Sequence, residues 1–167
     1  MKKAAIIMGS DSDLPVIRPA FQILKKFGVE YTVNVISAHR TPDRAAEFSK
    51  SAKENGYSCI ICAAGKAAHL AGVMAAYTAL PVIGIPIKSS TLDGLDSLLS
   101  TVQMPKGVPV ATVAVDGAEN AALLAVQIMA VSDGELYAKL VEYKQKMAED
   151  IYEKDRKISE AEQLQIQ

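Results

Sequence analysis

Apolar residues gather along this chain in five short runs, and the segments between them carry apolar positions every three or four residues. The runs are Ala4–Met8, Tyr31–Ile36, Cys59–Ala64, Val82–Ile85 and Val110–Val115. They are nearly continuous rather than alternating, the pattern of strands buried on both faces of a parallel sheet. The intervening segments Leu14–Phe27, Asp43–Asn55, Ala67–Thr78, Gly94–Thr101 and Asn120–Met129 read as helices. Strand–helix alternation of this kind predicts an α/β domain of three layers, helix, sheet and helix, with right-handed crossovers. Five strands predict the order 2-1-3-4-5.

Local signals set the ends of these elements. Pro15 suits a first helical turn, where its missing N–H has no partner to lose. Pro19 is expected to kink the first helix or delay its regular start. Gly28 after Phe27 and Gly56 after Asn55 are C-caps, and Thr41-Pro42-Asp43 opens the second helix. Pro86–Asp93, with Ser89, Ser90 and Thr91, has no period and reads as a loop, as does the stretch through Pro105, Lys106, Gly107 and Pro109. The result is a flavodoxin-like domain with a five-stranded parallel sheet over residues 1–132. Beyond it Leu136, Leu140, Tyr143, Met147 and Ile151 recur every three or four residues among Lys and Glu. That stripe predicts an amphipathic C-terminal helix within 133–167. The sheet does not need this helix, so its stripe suits either its own domain or a neighbouring subunit; the subunit contact is the expectation, with the charged end fraying from about Lys154.

At 167 residues and 50% hydrophobic, the chain suits one domain with a full core. A net charge of −1 leaves no basic excess for nucleic acid. No apolar run reaches bilayer length and no export signal opens the chain, so neither nucleic acid nor membrane is expected as partner and the expected location is cytoplasmic. Cys59 and Cys62 form a C-x-x-C, a spacing that raises redox or zinc chemistry. Here it lies inside the third strand, where positions three apart face opposite ways, and no second pair supplies metal ligands. Both are expected to be buried structural thiols.

Chemistry concentrates where strands give way to helices. Met8-Gly9-Ser10-Asp11-Ser12-Asp13 follows the first strand, Ser37-Ala38-His39-Arg40-Thr41-Pro42 the second, and Gly65-Lys66-Ala67-Ala68-His69-Leu70 the third. In the order 2-1-3-4-5 these strands are neighbours, so the three loops meet at the carboxyl edge of the sheet, where open α/β sheets bind ligands. Helix N-termini there offer N–H groups to an anion. Ser10 and Ser12 add hydroxyls, Arg40 can clamp a phosphate, Asp13 can accept from sugar hydroxyls, and a histidine can carry a proton near neutral pH. Taken singly, each has a structural alternative. Asp11 and Asp13 suit helix caps, His39 a surface loop, His69 the core side of an apolar helix, Arg40 a solvated position, and Lys66 a helix N-terminus, although the dipole disfavours a cation there.

Competing signatures are absent. The chain has no G-x-G-x-x-G after its first strand, no Walker loop and no G-x-S-x-G elbow. Two separated histidines without a matched carboxylate make a poor metal set, so no metal is expected. Aromatics at 5%, with no tryptophan, weaken a flavin-carrier reading. A non-enzymatic FMN- or nucleotide-binding module stays as the alternative of a different class.

The same loops resemble those of the N5-carboxyaminoimidazole ribonucleotide mutase family of purine biosynthesis. The resemblance extends through Leu80–Pro86, Gly94–Ser100, Val102–Pro105, Gly107–Thr112 and Asn120–Gln127, covering roughly residues 4–130. The His69-Leu70 segment is similar to the mutase branch rather than to the related branch that carboxylates aminoimidazole ribonucleotide directly with carbon dioxide. That direct carboxylase is the enzymatic alternative. The resemblance implies movement of a carboxylate from the exocyclic nitrogen of an imidazole ribonucleotide to ring carbon C4, by release and recapture of carbon dioxide. It implies His39 as general acid and base, Ser10 and Arg40 as substrate ligands, with Arg40 on the phosphate, and Asp13 on the ribose. Ser12, Ser37, Gly65, Ala67, His69 and Leu70 would line the site. It implies no metal or organic cofactor, and a homo-octamer with active sites at subunit junctions. The chain departs from the family pattern at Lys66, where a glycine is usual, at Ala71, where a proline is usual, and in a shortened turn around Asp116-Gly117.

Overall fold

Ala4, Ala5, Ile6 and Ile7 are wholly buried, as a strand with neighbours on both edges and helices on both faces requires. The computed structural model of the chain describes residues 2–90 and 92–163. Its five parallel strands are β1 (Lys3–Met8), β2 (Glu30–Val35), β3 (Cys59–Gly65), β4 (Val82–Ile87) and β5 (Ala111–Thr112). They lie in the order β2-β1-β3-β4-β5, the order the apolar runs predict. β1 pairs with β2 up to Met8↔Val35 and with β3 up to Met8↔Ala63, and β3 pairs with β4 up to Gly65↔Ile87. Four strands therefore end at one edge.

The helices are α1 (Leu14–Phe27), α2 (Pro42–Ser51), α3 (Leu70–Tyr77), α4 (Leu95–Val102), α5 (Ala118–Ala130) and α6 (Gly134–Gln163). Alternation along the strands sends Ala5, Ile7, Ile60 and Cys62 into one core with Ala45 of α2 and Leu70, Ala71 and Met74 of α3. Right-handed crossovers put α1 on the opposite face, covering it with Ile17, Ala20 and Leu24. Cys59 and Cys62 are buried free thiols, and burial pushes Cys59 up to about 12 and Cys62 higher still.

Several boundaries differ from those read in the sequence, each for a local reason. α1 neither starts late nor breaks at Pro19. The single turn Asp11–Asp13 precedes it, and its end is closed at Gly28, in the left-handed region at φ 70°. α2 stops at Ser51 rather than Asn55, because successive tight turns carry the chain to Gly56. β5 is two residues long, not six. Pro86 O accepts from Asp116 N at 2.9 Å, so the N–H that Pro86 lacks would have faced the same neighbour, and a rung of the ladder is missing there. β2 is an edge strand with Val33 and Val35 exposed, so it is not covered on both faces.

The chain divides into two compact units between Met129 and Ala130. In the second, Asp133 Oδ1 accepts from Leu136 N at 3.0 Å and caps α6. Leu136 and Leu140 are buried, whereas Tyr137, Val141, Met147 and Ile151 are exposed. α6 is helical to Gln163, past Lys154, and the i,i+4 pair Lys157–Glu153 at 2.7 Å spans that position. The last four residues of the predicted C-terminal segment, and Thr91 of the predicted loop, lie outside the described residues. No described helix is long and apolar enough to cross a membrane.

α4 seats on β4 at Gly84, where a Cβ would collide with Thr101 Cγ2 and press on Val110. Gly84→Ala is expected to destabilise the fold by about 1–3 kcal/mol through overpacking. A fall in Tm measured by calorimetry checks this, and an unchanged Tm would count against tight seating.

Candidate active site

The loop after β1 leaves the sheet late. Gly9 N still donates to Ala63 O at 3.0 Å, extending the ladder one residue past the strand. Ser10 then turns away in extended conformation, and its Oγ accepts from Ser12 N at 3.3 Å and from Ser12 Oγ at 2.8 Å. These bonds cap the turn that carries Asp13 inward, where it is only 8% exposed. Asp11, one turn-position earlier, is exposed.

The loop after β2 is closed on itself by Thr41. Its Oγ1 accepts from Ser37 N and donates to Ser37 O, both at 3.0 Å. His39 and Arg40 project from the closed loop. Arg40 Nη2 donates to Gly9 O at 3.1 Å and its backbone N to Ser37 Oγ at 3.2 Å, so one side chain ties the first loop to the second.

The loop after β3 is where the helix predicted from Ala67 fails to start. Lys66 takes the left-handed region at φ 56°. Ala68 N then donates to Lys66 O, and His69 N to Ala67 O, both at 2.8 Å. Two tight turns thus replace the first helical turn, α3 begins at Leu70, and His69 becomes its N-cap residue. His69 is exposed at the cleft, not set into the core. Its Nδ1 lies 2.9 Å from His39 Nε2, with the rings 5.0 Å apart and nearly perpendicular. Such a contact needs one N–H and one lone pair, so one ring donates and the other accepts according to their tautomers.

These loops surround a cleft of about 650 Å³. Ser10, Ser12 and Asp13 line it from the first loop, Ser37, His39 and Arg40 from the second, and Gly65, Ala67, His69 and Leu70 from the third. The sequence reading missed a fourth wall, made by Ile87 at the end of β4 and Lys88, Ser89 and Ser90 after it. The signal was present, since β4 neighbours β3 and the same carboxyl-edge rule applies to its loop. Lys88 Nζ lies 2.7 Å from Asp93 Oδ1, which holds the amine charged, above its ordinary value. Among the described residues, no group of three or more His, Cys, Asp or Glu is placed to hold a metal ion.

Among the described residues, Asp13 is the one acid lining the cleft. Burial raises its pKa above the ordinary 3.8, and Asp11's charge adds to this, while hydrogen bonds from the Ser10 backbone and Ser12 hydroxyl oppose it. A carboxyl raised in the fold stabilises most when protonated. That contribution is complete below the unfolded value of 3.8 and is lost as pH rises through the folded value. Asp13→Asn is therefore expected to raise Tm near neutral pH and to lose that advantage in acid. Thermal melts across pH check this; a Tm penalty near neutral pH that shrinks in acid would show that the ionised carboxylate supports the turn instead.

Residues 3–150 match the AIR carboxylase family. The chain is 52% identical to the N5-carboxyaminoimidazole ribonucleotide mutase of Thermotoga maritima, covering 96% of this chain and 94% of that protein. It is 57% identical to the mutase of Pyrococcus horikoshii, covering 93% and 88% respectively. The crystal structure of Treponema denticola PurE aligns with a TM-score of 0.85 at 30% identity, covering 93% of this chain and 97% of that one. With its converging loops and a family match that runs from β1 into α6, this chain belongs to the AIR carboxylase family.

Proposed function

We propose that this protein is an N5-carboxyaminoimidazole ribonucleotide mutase of purine biosynthesis, with His39 as its proton carrier. The mutase assignment is supported by identities above half to mutases over nearly their whole length. The observation that carries the histidine role is the 2.9 Å contact of His39 with His69 in a cleft rimmed by donors suited to a nucleotide.

The chemistry follows from the groups present. His39 gives a proton to the exocyclic nitrogen as the N–CO2 bond breaks, leaving carbon dioxide and an electron-rich imidazole. Ring carbon C4 attacks the carbon dioxide, forming the new C–C bond, and its proton returns to His39. One proton leaves and one comes back, so the reaction balances without oxidant or reductant. A group that donates and then accepts works best with a pKa near the working pH, the property that suits imidazole. His69 orients the His39 ring through their 2.9 Å contact.

Binding energy comes from the far end of the substrate. Ser10, Ser12 and Arg40 take the phosphate, and Asp13 accepts from the ribose hydroxyls. Ser37, Gly65, Ala67 and Leu70 form walls small enough for a flat ring to lie close to the backbone. Energy gained at the phosphate orients the ring against His39, and closure around the ring keeps carbon dioxide from escaping. We take the assembly to be a homo-octamer in which α6 packs on a neighbouring subunit. The exposed apolar residues Tyr137, Val141, Met147 and Ile151 support that arrangement. Two buried free thiols accord with the reducing cytoplasm.

The alternative of direct carboxylation is supported by 52% identity to the Saccharomyces cerevisiae phosphoribosylaminoimidazole carboxylase, of which this chain spans 27%. Purified protein given N5-carboxyaminoimidazole ribonucleotide without bicarbonate is expected to form the C4-carboxylated product. A requirement for added bicarbonate would favour the direct carboxylase, and protein purified yellow with flavin would favour a binding module. His39→Asn is expected to lower kcat by roughly 10³-fold with fold and assembly retained; turnover like that of the parent would remove the assigned role. Arg40→Ala should raise KM about tenfold, the loss of one charge-assisted hydrogen bond, with kcat little changed. Light scattering should give the mass of eight 17.8 kDa chains, and a monomer at working concentration would refute the octamer.

A further inference from the structure

Three cations line the cleft, Arg40, Lys66 and Lys88, and two of them are engaged. Arg40 donates to Gly9 O and Ser37 Oγ, and Lys88 is paired with Asp93. The ammonium of Lys66 has no hydrogen bond or ion pair among the described residues.

Its backbone makes the position unusual. At φ 56° Lys66 occupies the left-handed region, where a Cβ is disfavoured and glycine is the default. The conformation is held from both sides, since Gly65 is still paired to Ile87 in the sheet and Lys66 O accepts from Ala68 N at 2.8 Å. A lysine at a glycine position, aligned with the cleft and lacking a protein partner, has a charge free for a ligand.

The topology says which part of the ligand. Ser10, Ser12 and Arg40 sit on the loops after β1 and β2, on one side of the cleft, whereas Lys66 follows β3 on the other. Lys66 is also three residues before His69, whose ring touches His39. A nucleotide with its phosphate among the serines and its ring at the histidine pair turns its ring substituents toward the β3 side. We propose that Lys66 is a specificity-determining residue that pairs with the ring-borne carboxylate of the substrate and so favours carboxylated over uncarboxylated imidazole ribonucleotides. This rests on the mutase reading above.

The test uses the full-length protein with Lys66→Gly, which the backbone favours, Lys66→Gln, which keeps side-chain bulk, and Lys66→Arg. KM for N5-carboxyaminoimidazole ribonucleotide is expected to rise roughly tenfold in the Gly and Gln variants, the size of one charge-assisted hydrogen bond, and to recover in the Arg variant. Calorimetric Kd for aminoimidazole ribonucleotide, which keeps the phosphate but lacks the carboxylate, is expected to change less than about twofold. Tm should not fall in the Gly variant. An unchanged KM overturns the proposal, as does an equal loss for both nucleotides, which would move Lys66 to the phosphate. Wild-type protein that binds the carboxylated nucleotide but does not convert it would instead overturn the mutase reading, a result visible before any variant is made.

Discussion

The parallel register of β1 between β2 and β3 is the constraint on which the rest of this molecule depends. Met8 pairs with Val35 on one side and Ala63 on the other, so neighbouring strands end almost level. Loops that leave from level ends have nowhere to go but over the same edge. A slip of one residue would move Met8 out of line with Val35 and Ala63 and carry the first loop out of level with its neighbours. The core therefore positions the cleft without contributing a single reactive group to it.

The loops are tied together by short polar bonds, with Ile36, Ala38 and Ala68 packing beneath them. Thr41 closes the second loop, Ser10 caps the first, and Arg40 joins the two through Gly9 O. Each bond is worth little by itself against water. Together they convert flexible segments into a preorganised rim, which is what proton transfer between named atoms requires. The arrangement carries local costs that the core sustains: a buried carboxyl at Asp13 and a left-handed lysine at position 66. Local strain of this sort persists where the surrounding structure over-determines it.

Elements and their order were legible because burial on both faces writes a continuous apolar run. α1 spans the same residues in sequence and structure because Pro15 and Gly28 mark its ends chemically. The misread boundaries share a cause. At β5 and at the start of α3, apolar residues continue past the regular structure, but Pro86 removes a ladder donor and Lys66 reverses the backbone. Hydrophobic pattern does not register either event. The fourth wall of the cleft was overlooked for a similar reason, as Ser89 and Ser90 sit in a stretch with no period to draw attention to it.

The sequence by itself determined the architecture and the three loops that carry chemistry, since periodicity and turn residues are local properties of the chain. It could place His39 and His69 on the two loops that flank the first but left each with a bland alternative. Only the tertiary structure decided that the two rings meet at 2.9 Å, that Asp13 is buried while Asp11 is not, and that Lys66 lines the cleft with no partner among the described residues. Those facts depend on where residues thirty positions apart come to rest, and on the turn of a single backbone dihedral. Neither is written in the spacing of apolar residues.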